Sequence, residues 1–241
     1  MGNRRPFGDV ILSMKAIILA GGFGTRLVKI SGDKPKVLVE VAGKPILERQ
    51  IEYLWKSGIK DIRLSLHHKS DQIITFCENR FGKGKIEYVI EDRPLGTGGG
   101  IKFASRDLAE PFLVVNGDTL TDMDLLKFAS AGAHAIACVY LRDARDFGLV
   151  DVKNGKAAAF LEKPKEHVPG FINAGYYLLD NKAFHHVDKD AFMIEQDVFP
   201  YLAKNAQLNA YVHDGYWTDV GTAERWEKAN NYHAHEIMRD I

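Results

Sequence analysis

The order of apolar runs predicts an α/β fold, a mixed and mostly parallel sheet with flanking helices. Three observations lead there. Short β-branched runs alternate with amphipathic stretches through the first half of the chain, glycine-rich segments follow several of those runs, and 241 residues are enough for one substantial core.

Taken in order, residues 15–20 (Lys-Ala-Ile-Ile-Leu-Ala) make the continuous apolar run that a parallel strand buried on both faces needs. Residues 46–55 repeat apolar side chains at helical spacing. Residues 62–66 read as a strand, 71–81 as a helix and 86–90 as a strand. Gly98, Gly99 and Gly100 open a helix that runs through Leu108, and Pro111 introduces a strand at 112–115. After Asp124 the pattern changes to strands and turns at 135–141, 148–152 and 157–161, the last two joined by the hairpin dipeptide Asn154-Gly155. A strand at 174–179, a helix at 196–203, a strand at 208–212 and a helix at 222–235 complete the series. With no repeat or linker to divide the chain, residues 14–241 are expected to form a single domain. Residues 1–13 are set apart as an N-terminal extension.

Composition narrows the function classes. Lys plus Arg equals Asp plus Glu at 32 each, so no overall field draws in nucleic acid or an anionic membrane. No apolar run approaches the roughly 20 residues of a membrane helix. Cys77 and Cys138 have no metal-binding spacing, which fits a reducing compartment and predicts a cytoplasmic protein. Anion binding, where it occurs, has to be local.

The strongest local signal is the strand at 16–20 running into Gly21-Gly22-Phe23-Gly24-Thr25-Arg26-Leu27. Backbone N–H groups in such a loop can cradle phosphate oxygens while Arg26 adds a bidentate charge. The spacing fits neither the Walker loop nor the dinucleotide fingerprint, which counts against a nicotinamide-dependent dehydrogenase.

The string Leu19 to Leu27, followed by Pro35-Lys36, resembles the signature of sugar-1-phosphate nucleotidyltransferases. The resemblance continues in order through Pro94-Leu95-Gly96-Thr97-Gly98-Gly99, Asn116-Gly117-Asp118, Phe160-Leu161-Glu162-Lys163-Pro164, Ile172-Asn173-Ala174-Gly175 and Trp217-Thr218-Asp219-Val220-Gly221. It covers essentially the whole chain after Met14. Within the family, the short length and the Pro-Leu-Gly-Thr-Gly-Gly form look most like the D-glycero-α-D-manno-heptose 1-phosphate guanylyltransferases. Gly98-Gly99-Gly100 departs from the many relatives that carry an alanine there. With the chain ending at Ile241, no appended β-helix acetyltransferase domain is expected.

The resemblance implies a Rossmann-like sheet of the nucleotide-diphospho-sugar transferase type and two small-molecule substrates, a nucleoside triphosphate and a sugar 1-phosphate. A homo-oligomer is compatible with it. Such an enzyme works mostly by positioning and charge neutralisation, with a divalent cation and little proton transfer. Asp118 and Asp219 look like the family's Mg²⁺-binding aspartates, and Mg²⁺ suits one or two carboxylates plus phosphate oxygens. By resemblance Arg26, Lys36 and Lys163 meet the phosphates and are the catalytic candidates. Leu19, Ala20, Gly21, Gly22, Gly24 and Thr25, with Pro94, Gly96, Thr97, Asn116 and Gly117, bind the nucleotide. Glu162 and Asn173 bond sugar hydroxyls, and Gly148 lets the backbone approach the sugar. Glu91 falls in the base-binding loop, and a carboxylate accepts two hydrogen bonds, which suits the paired donors of guanine better than uracil or thymine. GTP and Mg²⁺ are therefore the expected nucleotide and cofactor.

Two alternatives stand beside this reading. One is a uridylyl-, thymidylyl- or cytidylyltransferase acting on N-acetylmuramate or glucose 1-phosphate. The other is a catalytically inactive nucleotide-sugar sensor, against which the retention of both aspartates argues. His67 and His68, adjacent on a strand end and lacking metal-ligating companions, are left as surface or sugar-pocket residues.

Overall fold

The computed structural model describes residues 14–161 and 166–239. Its strands are β1 Lys15–Leu19, β2 Glu40–Val41, β3 Lys44–Pro45, β4 Asp61–Leu66, β5 Glu87–Ile90, β6 Phe112–Asn116, β7 Thr119–Thr121, β8 Ala135–Leu141, β9 Leu149–Lys153, β10 Lys156–Leu161, β11 Gly170–Leu179, β12 Asn209–His213 and β13 Trp217–Asp219. The helices are α1 Val28–Ser31, α2 Ile46–Lys56, α3 Ser70–Phe81, α4 Gly96–Ala104, α5 Leu125–Ala129, α6 Ile194–Asp197, α7 Phe199–Lys204 and α8 Ala223–Arg239.

Nine strands form the central sheet in the order β5-β4-β1-β6-β11-β8-β12-β10-β9. β5, β4, β1 and β6 are mutually parallel, whereas β11 runs antiparallel to β6 and β8, and β8 pairs parallel with β12. The expected mixed α/β sheet is thus parallel where βαβα units build it and largely antiparallel where hairpins do. Alternation along β1 shows why its run is unbroken: Ala16 and Ile18 enter the core on one face, and Ile17 enters the core on the other. β6 does the same, with Leu113 and Val115 on the first face and Phe112 and Val114 on the second. A third, smaller core joins Leu27, Val41 and Ile46 to Leu120, Val220 and Ala229, anchoring α8 beside the loops after β1 and β6.

Two predicted helices have different limits. The glycine-opened helix begins at Gly96 and stops at Ala104, whose carbonyl accepts from Arg63 Nη1 at 2.5 Å. Beyond it the chain tightens to a turn in which Leu108 N–H donates to the Ser105 carbonyl at 2.9 Å, and Asn181 Nδ2 donates to the carbonyls of Ser105 and Leu108. The expected helix 196–203 is divided into α6 and α7, because Pro200 lacks an N–H and starts a new helix at its own first turn. The strand expected at 174–179 reaches back to Gly170, and the sequence pattern does not predict the short elements β2, β3, β7, β13, α1 and α5.

Candidate active site

The carboxyl ends of four neighbouring parallel strands open into one cleft, the position where open α/β sheets bind ligands. β1 ends at the glycine loop, β4 at His67, β5 at Glu91 and β6 at Asn116-Gly117-Asp118. The cleft encloses about 510 Å³. Leu19, Gly21, Gly22, Gly24, Thr25 and Arg26 line it from the first strand, and Lys36 joins them. Glu91, Pro94, Gly96 and Thr97 line it from the segment after β5, while Asn116, Gly117 and Asp118 line it after β6. Of the nucleotide set only Ala20 stays off the surface. It is 3% exposed, packs into the core, and donates its N–H to the Ser65 carbonyl at 2.9 Å.

Close packing dictates residue type at two points. Gly24 has φ +64°, and a Cβ there would come within 2.9 Å of the Lys36 Cβ. Gly117 lets the β6 turn lie against β1, for a Cβ would meet the Leu19 carbonyl oxygen at 2.3 Å.

Lys36 Nζ bonds Asp118 Oδ2 directly. A short ladder brings the second aspartate alongside: β7 and β13 pair antiparallel with Asp219 opposite Thr119, and Val220 N–H donates to the Asp118 carbonyl at 2.7 Å. Asp219 is 8% exposed and does not reach the cleft surface, although Gly221 does. Burial holds the Asp219 carboxyl above the usual carboxylate range, the Arg225 guanidinium opposes this, and the nearby charge of Asp118 adds to the rise. Arg225 Nε lies 3.0 Å from Asp219 Oδ1 as an ion pair that lacks hydrogen-bond alignment. Two adjoining carboxylates, one buried against its preference for water, are hard oxygen donors that a divalent cation would relieve, so the pair fits Mg²⁺ completed by phosphate and water oxygens. Among the described residues no group of three or more His, Cys, Asp or Glu could hold a metal by itself.

The sugar candidates form a neighbouring group. β9 and β11 pair at Ile172 opposite Leu149, which sets Gly148 beside Asn173. Asn173 Nδ2 donates to the Tyr177 hydroxyl at 2.9 Å, and Tyr177 in turn reaches Asn116 Oδ1 at 3.5 Å. Burial pushes the Tyr177 phenol well up, so it stays a donor. Glu162 and Lys163 lie outside the described residues.

Several contributors escaped sequence reasoning. Gln50, 2% exposed on α2, donates Nε2 to the carbonyls of Asn116 at 2.8 Å and Thr119 at 2.7 Å, gripping the turn that carries Asp118. Its helix also buries Glu48 among the apolar positions, so a polar residue on the inner face did not by itself single out Gln50. Met193 and Ser65 also line the cleft, and so does His67, which the sequence leaves as a surface or sugar-pocket residue. Glu91 is partly committed to its own loop, accepting from Ser65 Oγ at 3.0 Å and from Leu95 N–H at 3.1 Å, and Arg93 pairs with Asp190.

The profile of the nucleotidyl transferase family matches residues 15–236, nearly the whole described fold. The chain belongs to that family. It is 36% identical over 222 residues to the mannose-1-phosphate guanyltransferase of Gibberella zeae, covering 86% of this chain and 61% of that protein. It is 37% identical over 221 residues to the mannose-1-phosphate guanylyltransferase catalytic subunit beta of Dictyostelium discoideum, again with 86% and 61% covered. The chain therefore spans about three fifths of the length of these curated relatives. Among solved structures, HddC from Yersinia pseudotuberculosis complexed with GMP-PN superposes with a TM-score of 0.80 at 35% identity, over 91% of this chain and 99% of that one. The family's sheet and flanking helices are those described above.

Proposed function

We propose that this chain transfers a guanylyl group from GTP to the 1-phosphate of a D-manno-configured sugar, releasing pyrophosphate. The observation that carries the reading is the single cleft in which the glycine loop, Arg26, Lys36 and Asp118 converge with the Glu91 to Thr97 segment. A sugar phosphate oxygen attacks the α-phosphorus, the bond from that phosphorus to the bridging oxygen breaks, and pyrophosphate departs with the charge. Arg26 and Lys36 neutralise the triphosphate, and Lys163 is assigned to the reacting phosphates. Asp118 and Asp219 would hold Mg²⁺, which supplies charge stabilisation at the phosphoryl oxygens when bound. No side chain is needed to remove a proton from an already ionised phosphate, so the task of the chain is to hold two anions in line.

Guanine is supported by the relatives named as guanylyltransferases and by the GMP-PN complex of HddC. For the sugar, Gly148, Glu162 and Asn173 are the proposed contacts. The sequence resemblance favours D-glycero-α-D-manno-heptose 1-phosphate, and the relatives' names favour mannose 1-phosphate. The two rings share configuration from C2 to C5 and differ beyond it. No described helix is long and apolar enough to cross a membrane, and Cys77 and Cys138 are free and buried, which supports a cytoplasmic site of action.

Pyrophosphate release with Mg²⁺ tests this across GTP, UTP, dTTP, CTP and ATP against heptose, mannose, glucose and N-acetylmuramate 1-phosphates. Release restricted to GTP with heptose or mannose phosphate is the expected result, and the ratio of kcat/KM for those two names the sugar. Release only with a pyrimidine nucleotide, or with none, would reject the proposal.

A further inference from the structure

The strand order fixes what stands where along the cleft. From β5 to β6 the successive carboxyl ends present Glu91, His67, the glycine loop and Asp118, one strand spacing apart at roughly 4.8 Å each. Arg26, Lys36 and Asp118 hold the phosphate end, so the base of a bound nucleotide belongs towards β4 and β5. His67 lines the cleft at that end. Its Nδ1 lies 2.9 Å from the Glu91 carbonyl oxygen. A carbonyl only accepts, so Nδ1 carries the proton, and in the neutral ring Nε2 is then an acceptor with an unused lone pair. No protein partner for Nε2 is found among the described residues. The His67 backbone is set close against the glycine loop, since a Cβ on Gly21 would come within 2.9 Å of the His67 main-chain nitrogen, the bond to Glu91 orients the ring, and the Phe23 ring stands edge-on to it with centroids 5.8 Å apart. The Glu91 carboxylate, by contrast, already receives Ser65 Oγ and Leu95 N–H.

We propose that His67 is a specificity-determining residue whose Nε2 accepts a hydrogen bond from the donor edge of guanine, its N1–H and 2-amino group. The assignment rests on the reading that GTP is the nucleotide. An acceptor at that place is matched by guanine and opposed by adenine, whose N1 is itself an acceptor.

Asparagine and glutamine separate the two ring nitrogens. The Asn amide nitrogen can occupy the place of Nδ1 and keep the bond to Glu91, whereas the Gln amide reaches the place of Nε2. Steady-state kinetics with Mg²⁺, mannose or heptose 1-phosphate, and either GTP or ATP are compared for wild type, His67→Asn and His67→Gln. His67→Asn is expected to lower kcat/KM for GTP about tenfold, mainly through KM, and to shrink the GTP-over-ATP preference by the same factor. His67→Gln recovers at least part of both. A preference in His67→Asn equal to that of wild type, including an equal loss on both nucleotides, would overturn the role while leaving the GTP reading intact. A wild-type enzyme that prefers a pyrimidine triphosphate, or turns over none, overturns the GTP reading itself and this role with it.

Discussion

Asp219 carries the largest conflict between burial and charge in the site. A carboxyl whose folded pKa lies above its unfolded value destabilises the fold at every pH above the folded value. That cost disappears as the pH falls below the unfolded value. Burial and Asp118 raise Asp219, and Arg225 only partly compensates. Asp219→Asn keeps the shape and removes the charge, while Arg225 retains Asp146 at 3.4 Å and the face of Phe147 at 4.8 Å. In metal-free buffer at pH 8 the variant should therefore melt no lower than wild type, and any advantage should shrink as the pH is lowered towards 4. Its turnover with Mg²⁺ should fall at least about a hundredfold, since one of the two carboxylates proposed to hold the cation becomes a neutral amide. A stable, inactive protein is the signature of a residue retained for chemistry at the expense of folding. Melting curves across pH and pyrophosphate release check the two halves separately, and a variant that melts lower but turns over normally would reject both.

At the scale of elements, α2 matters because it is not wholly apolar on its inner face. Gln50 spends both amide hydrogens on the turn between β6 and β7, and Asp118 sits in that turn. Gln50→Leu preserves burial but leaves the Thr119 carbonyl without its donor, while the Asn116 carbonyl keeps Thr119 Oγ1 at 2.9 Å. The expected cost is about 2 kcal/mol in urea unfolding, together with a drop of about tenfold in kcat as the turn loses its grip on Asp118. A fall in stability with kcat unchanged would show that the turn holds its geometry without α2. Sequence pattern revealed α2 itself, since Ile46, Leu47, Ile51 and Leu54 repeat at helical spacing, but one glutamine among them carries no periodic signal. The same limit explains β7 and β13. Each is three residues long, too short for alternation to register, and they exist because pairing each other brings Asp118 and Asp219 together. The motifs on either side were legible as motifs; the ladder joining them is a long-range contact that no local window contains.

Across the whole molecule, the parallel half of the sheet was readable because its central strands β1 and β6 are buried on both faces and almost continuously apolar, and because β4 and the edge strand β5 alternate with helices. The convergence of four strand ends on one cleft then followed from topology. The strand order of the second half was not readable, since β11 crosses between β6 and β8 and pairs with β9 as well, contacts that depend on side chains distant in sequence. This layout has a thermodynamic consequence. A nucleotide lying from Glu91 to Asp118 touches the ends of β5, β4, β1 and β6, and the third core links the glycine loop to α8. Binding should therefore stabilise the cooperative unit as a whole. At a hundredfold excess over Kd a ligand adds about 2.7 kcal/mol, which for a domain of this size corresponds to a rise in Tm of roughly 5–10 °C. GTP with Mg²⁺ should give that rise in a single transition, and NAD should give none. Asp118→Asn should keep the shift produced by GTP without metal and lose the increment that Mg²⁺ adds, because the phosphate and base contacts survive while a cation ligand does not. An Mg²⁺ increment that persists in Asp118→Asn would place the cation elsewhere. Two separate transitions under GTP would mean that the half of the sheet holding the nucleotide unfolds independently of the half that pairs β11 with β8.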